Sequence, residues 1–209
     1  MKPILISLAS ATLLTLAAQA QTPLHYTVRV AVFNDANVPA NVLDGAQQTA
    51  SFIFAKSDIK LHWLRCGGQY ESPEQSRACS QAGRFDLHIV NGCPNLPGTV
   101  FGISYVSPKG VGSQADVFYA KIIGFRTGGP ADRKTLLGNA MAHELGHLLL
   151  GCNSHSPRGL MRAVWGPTEF SLMAQGAFVL SEDQSQNIKA KLSTSAADNL
   201  AFDKDSSGR

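Results

Sequence analysis

The chain has 209 residues, 18 of them Lys or Arg and 15 Asp or Glu, and a formal net charge of +3. Its basic residues are scattered, without the block or stripe that marks a nucleic-acid-binding surface, so we expect no nucleic-acid partner. Its apolar content of 44% is ordinary for a globular protein, and its length suffices for one domain with its own core.

The first twenty residues have the features of a secretory signal peptide. Lys2 precedes an apolar run over residues 4–18, and Ala18-Gln19-Ala20 supplies small residues at the −3 and −1 positions of a cleavage site. The run is too short to remain as a membrane span. We therefore predict a signal peptide over residues 1–20 and a secreted or periplasmic, monomeric protein without a membrane anchor. A buried N-terminal helix is the alternative, and the cleavage pattern argues against it.

After the cleavage site, strands dominate the first half of the chain. Alternating apolar residues predict a strand over residues 25–33, and helical spacing predicts an amphipathic helix over residues 39–56. Four further strands are predicted over residues 59–65, 85–90, 98–106 and 115–125.

Helices dominate the second half. Gly128-Gly129-Pro130 breaks the chain before a long predicted helix over residues 132–150. A Gly- and Pro-rich stretch follows, then an amphipathic helix over residues 181–192 and a flexible polar tail over residues 195–209. Without repeats or a linker, we predict one α+β domain over residues 21–194.

Four cysteines, Cys66, Cys79, Cys93 and Cys152, indicate disulfides in an exported protein, and three pairings are possible. We favour a Cys66–Cys79 bond, which closes a small polar loop, and this leaves Cys93 to pair with Cys152. A role for the Cys152 thiolate as a metal ligand is the alternative, but an oxidising compartment favours the disulfide.

The segment HELGH at residues 143–147 is the part of the sequence that indicates a metal site. Residues four apart lie on one face of a helix, so His143 and His147 can reach one metal ion. Glu144 lies about 100° around the helix from His143, where it can contact a water at the metal rather than the metal itself.

The rest of this helix is strongly apolar, so two histidines and a glutamate within it are costly to bury unless a metal satisfies them. A solvated polar stripe is the alternative, and too few polar neighbours support it. A catalytic zinc site needs a third ligand. Gly151 can end the helix in a left-handed turn that brings the chain back, which makes His155 the candidate.

With these residues in place, the chain resembles the metzincin zinc endopeptidases. That clan has an HExxH helix, a glycine, a third histidine and a methionine turn beneath the metal. The matching positions here are His143, Glu144, His147, Gly151, His155 and, in the turn, Met161. The family spaces the glycine and the third histidine by three and three residues, whereas this chain has four and four.

The resemblance implies a zincin-like fold, with a twisted mixed sheet of about five strands, an active-site helix and a small C-terminal subdomain. It also implies Zn²⁺ as cofactor, Glu144 as general base and a peptide or protein as substrate. The strand over residues 98–106 would be the sheet edge that pairs with the substrate, unless it pairs only within the sheet. Ala163, Val164 and Trp165 would line an apolar pocket.

Two other interpretations remain open from the sequence. In a gluzincin-type peptidase the third ligand would be a glutamate, for which Glu169 and Glu182 are available. In a secreted non-catalytic zinc-binding module, a fourth ligand such as Cys152 or Glu169 would close the site. The presence of Glu144 favours the enzyme, because a structural site does not need that carboxylate.

Overall fold

The computed structural model describes residues 26–67, 72–81, 85–92, 95–97, 99–125 and 131–205. The predicted signal peptide lies outside these ranges, as do Cys93 and residues 206–209 of the predicted tail. Within them, every helix is too short or too polar to cross a bilayer.

A five-stranded mixed sheet forms the first layer of the fold. Its strands are β1 (Tyr26–Phe33), β2 (Ile59–Cys66), β3 (Phe85–Val90), β4 (Gly102–Tyr105) and β5 (Gln114–Phe118). They lie in the order β2-β1-β3-β5-β4, and all neighbours are parallel except β4, which runs antiparallel to β5. The predicted mixed sheet of about five strands is confirmed, and β4 is one of its edges.

The described residues also form six helices. They are α1 (Ala40–Ala55), α2 (Pro73–Ser80), α3 (Tyr119–Gly124), α4 (Arg133–Leu150), α5 (Pro167–Ala174) and α6 (Glu182–Asp205). Helix α4 packs against α1, α3, α5 and α6, and it also packs on β3, β4 and β5. Its residues from Leu136 to Leu149 are all buried. The helix that carries the candidate site is therefore the centre of the domain.

Local sequence explains where α4 begins and ends. The Asp132 carboxylate accepts a hydrogen bond from the Thr135 backbone N–H at 2.8 Å, as an N-cap does, and this bond lowers the pKa of Asp132. At the other end Gly151 adopts a left-handed conformation with φ of 65°. Both ends match the predicted helix over residues 132–150, and the predicted glycine turn is confirmed.

Several element predictions were wrong. The strand predicted over residues 115–125 ends at Phe118 and continues as α3, because a short apolar run does not distinguish strand from buried helix. Two short helices, α2 and α5, had not been predicted. Residues 195–205, predicted to belong to a polar tail, continue α6, which contains no glycine or proline to end it.

Candidate metal centre

The structure brings together the three histidines that the sequence nominated. One ligand atom from each of His143, His147 and His155 lies within 4.8 Å of the others, and this is the group of possible metal ligands found in the described part of the chain. His143 and His147 are buried in α4, whereas His155 is exposed on the following loop.

The glycine turn explains how His155 reaches the group despite the longer spacing. The backbone N–H groups of Gly151 and Cys152 both donate to the carbonyl oxygen of His147, at 2.9 and 3.3 Å, which closes the end of α4. The chain then reverses, and the Ser156 N–H donates to the carbonyl of Met161 at 2.8 Å. The turn accommodates the one extra residue in each of the two spacings, from His147 to Gly151 and from Gly151 to His155. His155 therefore still faces the imidazoles of His143 and His147.

Two backbone carbonyls orient the helical histidines. His143 Nδ1 lies 2.7 Å from the carbonyl oxygen of Leu160, and His147 Nδ1 lies 2.8 Å from that of Cys152. A carbonyl oxygen only accepts hydrogen bonds, so each Nδ1 must carry a proton. In a neutral ring this leaves the Nε2 lone pair free, which is the arrangement that metal-ligating histidines have.

The two free Nε2 atoms face each other. They are 3.1 Å apart, and burial keeps both rings neutral by lowering the pKa of His147 and lowering that of His143 to about 3. Two opposed lone pairs repel unless a cation lies beside both. Two nitrogens on one tetrahedral zinc are roughly 3.3 Å apart, given Zn–N bonds of about 2.05 Å. The donor set and its spacing therefore fit a zinc ion.

Glu144 points into the same cleft from the neighbouring position on α4. The cleft has a volume of about 310 Å³ and is bordered by the three histidines and by β4. Burial raises the pKa of the Glu144 carboxyl to about 7, although a hydrogen bond from Ser104 opposes the shift. A carboxyl with a pKa near neutrality can both accept and return a proton.

Met161, the candidate for the methionine turn, packs against α4 at Gly146. It is 1% exposed, and a Cβ atom built on Gly146 would be only 2.5 Å from its sulfur. The glycine before His147 therefore lets Met161 approach the helix backbone. Leu160, the neighbour of Met161, supplies the carbonyl that orients His143.

We expect Gly146→Ala to destabilise the protein by up to about 2 kcal/mol. The new methyl group should cost about 1–3 kcal/mol by overpacking against Met161, and the helix propensity that alanine gains, about 1 kcal/mol, offsets part of this cost. Denaturant unfolding measures the change. Gly124→Ala, at the end of α3 where a Cβ meets nothing within 4 Å, is the control and should be neutral or stabilising by up to about 1 kcal/mol. Equal effects at both positions would contradict the close contact.

The alternative ligands are engaged elsewhere. Glu169 is buried, accepts a hydrogen bond from the Gly166 N–H at 2.8 Å and forms an ion pair with Arg162 at 3.1 Å. Glu182 accepts a hydrogen bond from Gln186 in the first turn of α6. Neither belongs to the group of possible metal ligands. The ion pair thus joins Glu169 to Arg162, the residue that follows Met161.

One of the two predicted disulfides lies within the described residues and is confirmed. The Cys66–Cys79 disulfide is present and ties the end of β2 to α2, with the two Cα atoms 5.8 Å apart. The predicted bond between Cys93 and Cys152 stays a prediction, because Cys93 lies outside the described residues; the Cys152 sulfur accepts a hydrogen bond from the Ser154 hydroxyl at 3.1 Å.

The wall of the cleft is apolar and partly aromatic. Ala163 and Trp165 line it as predicted, and the Trp165 ring stacks on Phe101 at 5.3 Å and meets His143 edge-on at 5.5 Å. Val164 is 59% exposed and does not line the cleft, contrary to the prediction. Phe101 and Ser104 also line the cleft, and the sequence analysis had not nominated them.

No protein-family model matches the sequence, and no curated protein matches it. Among solved structures, the crystal structure of metalloproteinase-II from Bacteroides fragilis is similar to this chain, with 16% identity and a TM-score of 0.49. The match covers 82% of this chain and 54% of that one, so the chain spans about half the length of that metalloproteinase. The chemical interpretation of the three histidines therefore depends on their own geometry.

Proposed function

We propose that this protein is a secreted zinc-dependent endopeptidase of the metzincin type. The observation that carries the proposal is the convergence of three imidazoles within 4.8 Å, with Glu144 beside them in one cleft. The group has three members among the described residues, which leaves one coordination position open, as in catalytic rather than structural zinc sites. This favours an enzyme over a non-catalytic zinc-binding module.

In the proposed mechanism, His143, His147 and His155 would hold Zn²⁺ through one ring nitrogen each. When bound, Zn²⁺ supplies Lewis acidity, which acidifies water and polarises the scissile carbonyl. Glu144 accepts the proton of the attacking water and delivers it to the leaving nitrogen. The carbonyls of Leu160 and Cys152 keep the two helical rings in the required orientation.

The edge strand β4 is the proposed substrate platform. One side of β4 pairs with β5, and it ends the sheet on the other side. Gly102, Ile103 and Ser104 also line the cleft. An extended peptide that adds to this edge would gain backbone hydrogen bonds that do not depend on its sequence, and its scissile bond would lie over the histidines.

Secretion is part of the proposal and is supported by the signal sequence over residues 1–20 and by the Cys66–Cys79 disulfide. We further propose that residues 21–194 form the catalytic domain. The order of the metal motif supports metzincin membership: HELGH, then Gly151, His155 and Met161.

The test measures metal and activity together on the purified mature protein. We expect one zinc per chain and cleavage of an unfolded protein substrate, loss of cleavage after chelation, and its return when zinc is restored. The metal-free protein should remain folded by circular dichroism, so that lost cleavage reports the metal. A protein that binds no zinc, or that cleaves equally well after chelation, would refute the proposal.

A further inference from the structure

Ser104 occupies an unusual place on the edge strand β4. Its neighbours Ile103 and Tyr105 are 39% and 50% exposed, whereas Ser104 is 6% exposed. Since side chains alternate along a strand, Ser104 points from β4 toward the sheet face on which α4 packs. A hydroxyl buried at such a position needs a hydrogen-bond partner.

Both partners of Ser104 belong to Glu144. The Ser104 hydroxyl oxygen lies 2.6 Å from the carboxylate oxygen Oε2 of Glu144 and 2.9 Å from its backbone carbonyl oxygen. A serine hydroxyl has one proton to donate, and the shorter contact is that of a charge-assisted bond to a carboxylate. The other carboxylate oxygen, Oε1, has no hydrogen-bond partner among the described residues.

Gly102, two residues earlier on the same face of β4, also lies against the Glu144 carboxylate. A Cβ atom built on Gly102 would lie 2.6 Å from both Cγ and Oε1 of Glu144. Strand β4 therefore contacts the glutamate twice. The missing side chain of Gly102 leaves space for the carboxylate, and the hydroxyl of Ser104 holds one of its oxygens.

From this geometry we infer that Ser104 is a positioning residue for Glu144, an inference that rests on the proposed peptidase function. The terminal torsion of a glutamate is broad, so one fixed oxygen decides where the other oxygen points. With Oε2 held by Ser104, Oε1 is fixed over Gly102, which lines the cleft in which the attacking water is to be deprotonated. Ser104 also ties the proposed substrate-pairing strand to the general base.

The test compares Ser104→Ala with Ser104→Thr, which keeps a hydroxyl. We expect Ser104→Ala to lower kcat about 10–100-fold, the range found when an orienting partner is lost, with KM changed less than about twofold and zinc content intact. Ser104→Thr should recover most of kcat. The matched control is Ser57→Ala, which removes a buried hydroxyl contact of 2.6 Å to Ser185, away from the cleft, and should retain wild-type kcat.

The possible outcomes separate this inference from the proposed function. Full kcat in Ser104→Ala, beside an active wild type, would overturn the role of Ser104 and leave the peptidase intact. A loss of kcat that Ser104→Thr does not recover, or that Ser57→Ala shares, would also overturn it, because general destabilisation would then explain the result. A wild type that neither binds zinc nor cleaves would overturn both.

Discussion

Glu144→Gln is expected to lower turnover about 10²–10⁴-fold while the protein keeps its zinc, the range that general-base catalysis contributes. The substitution preserves the shape of the side chain and its ability to accept the Ser104 hydrogen bond. It removes the group that takes a proton from the attacking water. Because Glu144 is outside the ligand group, metal content should not change. Turnover of a peptide substrate and zinc per chain, measured on the same sample, check both statements.

The control for this substitution is Glu74→Gln, at an exposed position in the first turn of α2. It makes the same chemical change away from the cleft and should retain full turnover. Glu144→Ala should also keep zinc and lose most turnover, although it leaves the Ser104 hydroxyl without its carboxylate partner. Undiminished turnover in Glu144→Gln would remove Glu144 from the mechanism, and a loss of zinc would assign it to the metal instead.

Helix α4, which carries His143 and His147, could be predicted from sequence because the residues that define it lie within the helix and at its two ends. Two histidines four residues apart share a helix face whatever surrounds them, and Asp132 and Gly151 mark the ends of the helix by their own hydrogen bonding and backbone conformation. The prediction of His155 as the third ligand required one further local feature, the reversal of the chain at Gly151. These parts of the site depend on a stretch of only 24 residues.

The parts that were missed depend on distant contacts. Ser104 meets Glu144 forty positions later in the chain, and no local pattern announces that pairing. Glu169 was a plausible ligand by composition, but its partners are Arg162 and the Gly166 N–H. The division of residues 115–125 into β5 and α3 depends on burial against neighbouring elements, which a short apolar run does not specify.

His155→Ala is expected to weaken zinc binding more than about 100-fold, beyond the 10–100-fold that follows loss of an outer hydrogen-bond partner. This is the sharpest test of the triad because His155 is exposed, so its removal leaves no cavity in the core. His143→Ala would be harder to interpret, since it would also leave the Leu160 carbonyl without its buried partner. Zinc affinity by competition with a chromogenic chelator gives the measurement.

Glu169→Ala is the matched comparison. It should leave zinc affinity unchanged, whereas His155→Ala should weaken it. Removing this carboxylate breaks its ion pair with Arg162 and its hydrogen bond from the Gly166 N–H at the start of α5. Stability should therefore fall by roughly 1 kcal/mol or more, as when a helix cap is lost, while zinc affinity stays at the wild-type value. If Glu169→Ala released the metal and His155→Ala kept it, the third ligand would be the glutamate, and the left-handed turn at Gly151 would have no role in assembling the metal centre.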